Sequence, residues 1–179
     1  MLKKAIFLDR DGVINRKLPE DRYVRNPGEF ELLPGVPLAL RIFKGLGYLL
    51  VIVTNQRGIA RGIMTEDDLS DVHDFMRSLF RNDGMELDGL YYCPHDKTDY
   101  CDCRKPAPGM IFKAERDLGI DLAKSFMAGD SLSDVEAART AGVQPVKISP
   151  VREASDIAPV FSSLLDFAEF LQKKGFRHD

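Results

Sequence analysis

Tryptophan is absent from the 179-residue sequence, and cysteine and histidine are scarce, with three of each. Three thiols cannot all pair as disulfides, which argues against a disulfide-stapled secreted scaffold and makes a reducing cytoplasm the expected compartment. Long apolar runs are lacking as well. The longest, around Leu49 to Val53, is far too short to cross a bilayer, so no membrane partner is expected. The N-terminal MLKKAIFLDRDG is positively charged early, but its apolar stretch soon ends in charges, unlike a secretory signal. Nor is there an excess of one charge sign: the net charge is -3. A general nucleic-acid binder needs Lys and Arg to neutralise phosphates, so no nucleic-acid partner is expected. Repeats and low-complexity segments are missing. What remains is a chain that is 44% hydrophobic and 30% charged, the composition of a globular protein. Its length suits one domain over residues 1–179, expected to be monomeric.

Short apolar runs alternate with stretches of helical spacing. AIFLD (Ala5 to Asp9), LLVIVTN (Leu49 to Asn55), Leu90 to Tyr92, SFMAGD (Ser125 to Asp130) and VQPVKI (Val143 to Ile148) read as strands. Helices are expected over Val36–Leu46 with Gly47 as C-cap, from N-cap Thr65 to about Asn82, and over Pro108–Leu118, Ser133–Ala141 and Phe161–Gln172. This alternation implies βαβ units around a mostly parallel sheet. The methionines and Phe75, Phe80, Phe112 and Phe126 read as core, His73 as a packing or surface residue, and His178 as part of a polar tail. The segment between the second and third strands has room for a helix and little else, so no large cap domain is expected.

All three cysteines and one histidine fall in CPHDKTDYCDCRKP, Cys93 to Pro106. Cys93-x-His95 and Cys101-x-Cys103 are two chelating pairs, and three thiolates with one imidazole match a closed, tetrahedral, structural zinc site. Thiolates select zinc over magnesium. Asp96 to Tyr100 cannot build a core, and a loop without apolar anchors needs a staple against its ordering entropy. Fixing this loop fixes the Arg104-Lys105 that follows.

Open α/β sheets bind ligands where strands end. Asp9-Arg10-Asp11, Thr54-Asn55-Gln56 and Gly129-Asp130-Ser131 close three of the strands. Asp9 and Asp11, two apart on extended backbone, face the same side. Carboxylates converging on a crevice call for a hard divalent cation, and Mg2+ fits, with Asp130 as a further ligand. Asp134 either faces the same cavity or serves its own helix N-terminus.

FLDRDGVIN, with Thr54, Lys105 and Asp130 following in order, resembles the motif series of the haloacid dehalogenase superfamily of phosphatases, from about Lys4 to Ile148. The resemblance implies a Rossmann-like three-layer α/β/α sandwich. It also implies a phosphatase in which Asp9 is the nucleophile and Asp11 the general acid and base. On that likeness Mg2+ is held by Asp9, the Asp11 backbone carbonyl and Asp130, while Lys105 and Thr54 donate to the phosphoryl oxygens.

CPH-x5-C-x-C-R-K-P and TNQRGIARG resemble more narrowly the branch of that superfamily acting on heptose bisphosphates, a small-molecule sugar bisphosphate substrate. The zinc loop is shared with histidinol-phosphate phosphatases, the alternative assignment; a non-catalytic zinc-stapled binding module is the alternative of another class. The branch likeness implies substrate contacts at Asn55, Gln56, Arg57, Arg104 and Ser131, and at Arg22 and Tyr23 in the segment Glu20–Tyr23. Arg57 replaces the usual serine and adds a cation that either binds a second phosphate or simply lies on the surface.

Overall fold

The computed structural model describes residues 2–151 and 157–175, so His178 lies outside the described residues. Six strands form one sheet in the order β3-β2-β1-β4-β5-β6, and every pairing runs parallel. They are β1 (Ala5–Leu8), β2 (Leu49–Asn55), β3 (Gly89–Cys93), β4 (Phe126–Gly129), β5 (Gln144–Ile148) and β6 (Val160–Phe161). The helices are α1 (Val36–Gly45), α2 (Glu66–Asn82), α3 (Gly109–Leu118), α4 (Leu132–Ala141) and α5 (Leu164–Gly175).

The layers follow from side-chain alternation along the central strands. Ile6 and Leu8 of β1, with Leu50 and Ile52 of β2, enter one core with Leu40 and Phe43 of α1, Val72, Met76 and Phe80 of α2, and Phe167 of α5. Ala5, Phe7, Val51 and Val53 point the other way, into a core with Met110 and Ile111 of α3 and Ala137 and Ala138 of α4. The result is a helix–sheet–helix sandwich, as the haloacid dehalogenase resemblance implied. Phe80 is fully buried, while Phe75, Phe112 and Phe126 pack half-buried against these cores.

Most boundaries fall within a residue or two of the sequence expectation, and two features differ. β6 was not expected; its two residues pair only with Lys147 and Ile148. Phe161, expected to open the closing helix, belongs to β6 instead, and α5 starts at Leu164, where Oγ of Ser163 accepts the Asp166 N–H at 3.1 Å. Elsewhere local signals act as expected. Thr65 and Asp68 form a reciprocal capping box at the start of α2, and Gly47 takes a left-handed φ of 79° just past α1.

The chain runs from β1 outward through β2 to β3, then returns to place β4 on the other side of β1. The crevice at the carboxyl ends of β1 and β4 is therefore the topological switch point of the sheet. Asp9 follows β1 there and Asp130 follows β4. Gly12, at φ 92°, lets the two loops meet: a Cβ on it would fall 2.5 Å from Oδ2 of Asp130.

Candidate active site

Asp9 leaves β1 buried, with Oδ1 accepting the Arg10 N–H at 2.8 Å. Lys105, also buried, arrives from beyond the Cys/His loop and sets Nζ 2.9 Å from that same Oδ1. Nζ is also 2.6 Å from Oδ1 of Asp134 and donates to the Val53 carbonyl at 2.8 Å. Three acceptors thus surround an ammonium with three N–H bonds, so Lys105 acts on Asp9 and Asp134 before it acts on any ligand. Asn55 holds its backbone in place: the amide donates to the Lys105 carbonyl and accepts the Lys105 N–H, each at 3.0 Å.

Asp134 does both things left open by the sequence. Its Oδ2 accepts from the Ser131 N–H at 3.0 Å and the Ser131 hydroxyl at 2.6 Å, closing a capping box on α4, while Oδ1 faces Lys105. Burial opposes its charge, but Lys105 and Ser131 outweigh burial and hold the carboxyl below its usual range. Burial has the upper hand at Asp9. With Asp134 and Asp130 adding repulsion against the pull of Lys105, it pushes that carboxyl up to about 7.

Oxygens of Asp9, Asp130 and Asp134 lie within 4.8 Å of one another, and Oδ1 of Asp130 is buried with no hydrogen-bond partner among the described residues. An acid cluster under this much repulsion, one of whose members has a buried oxygen without a partner, fits a hard divalent cation such as Mg2+. Lys17 adds a second compensating charge beside Lys105, its Nζ 2.6 Å from Oδ2 of Asp130. No motif marks Lys17, and only the fold brings it here.

The Asp11 side chain lines the same cleft but is not part of this cluster. Arg10 Nη2 reaches both its oxygens at 3.0 Å, and the amides of Asn15 and Gln56 donate to it at 2.9 Å each. Although burial opposes the charge, these donors keep the carboxyl below its ordinary range. Asp11 therefore rests as a carboxylate, whereas the first step expected of it calls for the protonated form.

Gln56 departs from the expected substrate contact. It is 1% exposed and lies inside a network, donating to Thr54 Oγ1 at 3.0 Å as well as to Asp11. Thr54, equally buried, sits behind the site.

The other expected contacts do line one cleft of about 460 Å³ that opens over Asp9 and Asp130: Arg22, Tyr23, Asn55, Arg57, Arg104 and Ser131. Lys17 and Lys97 join them. Arg57 is not a free cation. Its Nε donates to the Tyr23 hydroxyl at 3.2 Å and Nη2 to Asp21 at 3.0 Å, and Asp21 also pairs with Arg61. These bonds join the loop after β1 to the loop after β2 as one wall of the cleft.

The Cys/His loop adjoins this wall and adds Lys97 and Arg104 to the cleft lining. Sulfur separations are 3.6 Å for Cys93–Cys101, 3.2 Å for Cys93–Cys103 and 3.5 Å for Cys101–Cys103. Nδ1 of His95 lies 3.5 Å from Cys93 Sγ and 3.2 Å from Cys103 Sγ. Tetrahedral zinc with ordinary bonds separates such ligand atoms by roughly 3.5–3.8 Å; the four atoms here are gathered slightly more tightly, as one closed set of three sulfurs and an imidazole nitrogen, the donor chemistry zinc takes. The loop is docked on the segment after β2: Gln56 N–H donates to the Cys93 carbonyl at 2.8 Å, and Ala60 N–H to the Pro94 carbonyl at 3.1 Å. Arg104, reaching the cleft from its far end, donates to the His95 carbonyl at 3.2 Å.

An α/β sandwich that gathers Asp9, Lys105, Asp130 and Asp134 at its switch point, beneath a cation-lined cleft, defines a hydrolase of the haloacid dehalogenase class. The HAD-hydrolase-like family model matches residues 102–149. The D-glycero-beta-D-manno-heptose-1,7-bisphosphate 7-phosphatase of Haemophilus ducreyi is 47% identical, over 80% of this chain and 81% of that one. The D-glycero-alpha-D-manno-heptose-1,7-bisphosphate 7-phosphatase of Burkholderia mallei is 41% identical, over 92% and 89%. Among solved structures, D,D-heptose 1,7-bisphosphate phosphatase from B. bronchiseptica, complexed with magnesium and phosphate, superposes with a TM-score of 0.87 at 34% identity, covering 96% of this chain and 99% of that one. The chain belongs to the family of D-glycero-D-manno-heptose-1,7-bisphosphate 7-phosphatases.

Proposed function

We propose that this protein is a phosphoric monoester hydrolase that removes the 7-phosphate of D-glycero-D-manno-heptose 1,7-bisphosphate. The observation that carries the proposal is Asp9, buried against Lys105 at the floor of a cation-lined cleft, in a chain 40–47% identical to phosphatases named for that substrate.

Asp9 is the nucleophile. Its carboxylate oxygen bonds to phosphorus while the bond from phosphorus to the sugar oxygen breaks, leaving an aspartyl-phosphate. The departing oxygen takes a proton from Asp11. Asp11 rests ionised, but a phosphate dianion arriving beside it favours the protonated form. In the second step Asp11 accepts a proton from water as that water attacks phosphorus. The bond to Asp9 breaks, inorganic phosphate leaves and the carboxylate returns. Lys105 holds Asp9 in line and offsets the charge of Asp9 and Asp134, and Thr54 supports Asp11 through Gln56.

Asp9, Asp130 and the Asp11 backbone carbonyl would hold Mg2+, with Asp134 beside them. When bound, the ion supplies charge neutralisation at the phosphoryl oxygens. Cys93, His95, Cys101 and Cys103 would hold structural zinc, whose role is to fix the loop that presents Arg104 and Lys105. Arg22, Lys97 and Arg104 suit the second phosphate of the substrate, since guanidinium and ammonium groups both pair with phosphate oxygens. Arg57 shapes the wall with Asp21 and Tyr23. Reduced thiolates suit a cytoplasmic location, and among the described residues no helix is long and apolar enough to cross a membrane.

Phosphate release from both anomers of heptose 1,7-bisphosphate and from histidinol phosphate, with Mg2+ and with chelator, tests the reading. Mg2+-dependent turnover preferring a heptose bisphosphate supports it. Preference for histidinol phosphate would move the assignment to the enzymes that share the zinc loop.

A further inference from the structure

We propose that His73 is a positioning residue for this reaction: through Nε2 it holds the buried Arg10 guanidinium in the orientation that grips both carboxylate oxygens of Asp11. The inference rests on the phosphatase reading above and deepens it.

Arg10 is 0% exposed, an expensive place for a guanidinium unless its donors are satisfied. It follows β1 directly, and its side chain runs beneath the site toward α2. Nη2 is committed to Asp11, at 3.0 Å from each oxygen, with the Gln56 carbonyl 3.5 Å away. Nη1 lies 3.1 Å from Nε2 of His73, and Nε has no partner among the described residues. His73 is therefore the acceptor that fixes the far end of the group. It lies on the buried face of α2 beside Val72, Leu69 and Met76, with 5% exposure.

The choice of residue is informative. An arginine donor at Nε2 requires a lone pair there, so the imidazole is neutral. A carboxylate at position 73 would also accept the bond, but it would compete with Asp11 for the positive charge. A neutral acceptor satisfies the donor and leaves the charge to Asp11. Burial and the nearby Arg10 push the His73 pKa down to about 3, in keeping with a neutral ring. Without the acceptor, the guanidinium can turn to satisfy Nη1 and loosen its two-point hold on Asp11. A carboxyl that wanders delivers its proton less often.

The test compares His73→Phe, which keeps ring volume but cannot accept, with His73→Gln, whose carbonyl can. Both are assayed by kcat/KM on heptose 1,7-bisphosphate and on 4-nitrophenyl phosphate, with Mg2+. The nitrophenolate leaves without a proton, and kcat/KM reports only the steps up to formation of the aspartyl-phosphate, so a defect in the acid role of Asp11 spares it. H73F is expected to lose roughly tenfold or more on the sugar ester and less than about threefold on the aryl ester, with H73Q near wild type on both. If H73F does not fold, His73→Met carries the same comparison. Equal losses on the two esters, no loss on either, or a glutamine variant as impaired as the apolar one would overturn the inference alone. A wild-type protein that hydrolyses neither ester would overturn the phosphatase reading and this inference with it.

Discussion

Nζ of Lys105 lies 2.9 Å from Oδ1 of Asp9, although one residue closes β1 and the other follows the Cys/His loop. With Asp134 2.6 Å away on the other side, the ammonium sits between two buried carboxylates. Removing it leaves both uncompensated. Lys105→Met is expected to cost about 3–5 kcal/mol of folding stability in metal-free protein, the usual penalty for breaking a buried pair, and at least about a hundredfold in kcat. Denaturant unfolding and steady-state assays check the two halves. Unchanged stability would mean the three groups do not share one site.

Asp9 gives the metal-binding site a pH signature. Its carboxyl, pushed up to about 7 by burial and by Asp134 and Asp130, holds its proton more tightly in the folded chain than in the unfolded one. The associated stability is complete below the ordinary carboxylate range and is lost as pH rises through 7. A divalent cation replaces the proton. Stabilisation by Mg2+, measured as a melting-temperature shift at fixed concentration, should therefore be larger at pH 8 than at pH 6. A shift that ignores pH would place the cation elsewhere.

His73 gives a second signature of opposite sign. Its pKa falls from 6.5 to about 3, chiefly through burial and then through Arg10, so the unfolded chain binds a proton that the folded chain refuses. Stability present above about 6.5 is lost as pH drops toward 3, by up to roughly 1.4 kcal/mol per pH unit. Wild type should lose stability faster than H73Q between pH 6.5 and pH 5 by chemical denaturation. Parallel curves would mean that the imidazole is not buried against Arg10.

Zinc is expected at about one ion per chain when the protein is purified without chelator. Stripping it, or replacing Cys101 by Ser, should loosen residues 93–105 and lower activity through Arg104 and Lys105, with zinc alone restoring the stripped protein. Metal analysis with hydrogen exchange across the loop measures both. Metal-free protein with full activity and a protected loop would contradict the staple.

The sequence carried the sheet well where a strand is a continuous apolar run closed by polar residues, as in β2, and carried α2 through the Thr65 cap. It carried less where local pattern is mute. β6 is two residues long, and Phe161 fits a helical spacing until Ser163 is recognised as the cap. Asp134 was ambiguous because an acid at that position serves a capping box whether or not it also faces a cleft. Gln56 read as a substrate contact because its motif does, yet its amide is spent on Asp11 and Thr54. Lys17, Arg10 and His73 carry no signature, since the partners of Lys17 and the pairing of Arg10 with His73 exist only once distant segments meet.

The central claim is that Asp9 carries the phosphoryl group between its two owners. Rapid acid quench during turnover with Mg2+, borohydride reduction and peptide mass spectrometry would locate it directly. The expected result is homoserine at position 9 only when substrate and Mg2+ are both present, and none in Asp9→Asn, which should fold normally and turn over at least about a thousandfold more slowly. Reduction at another residue, or full turnover by D9N with reversion to Asp excluded by mass, would contradict the account.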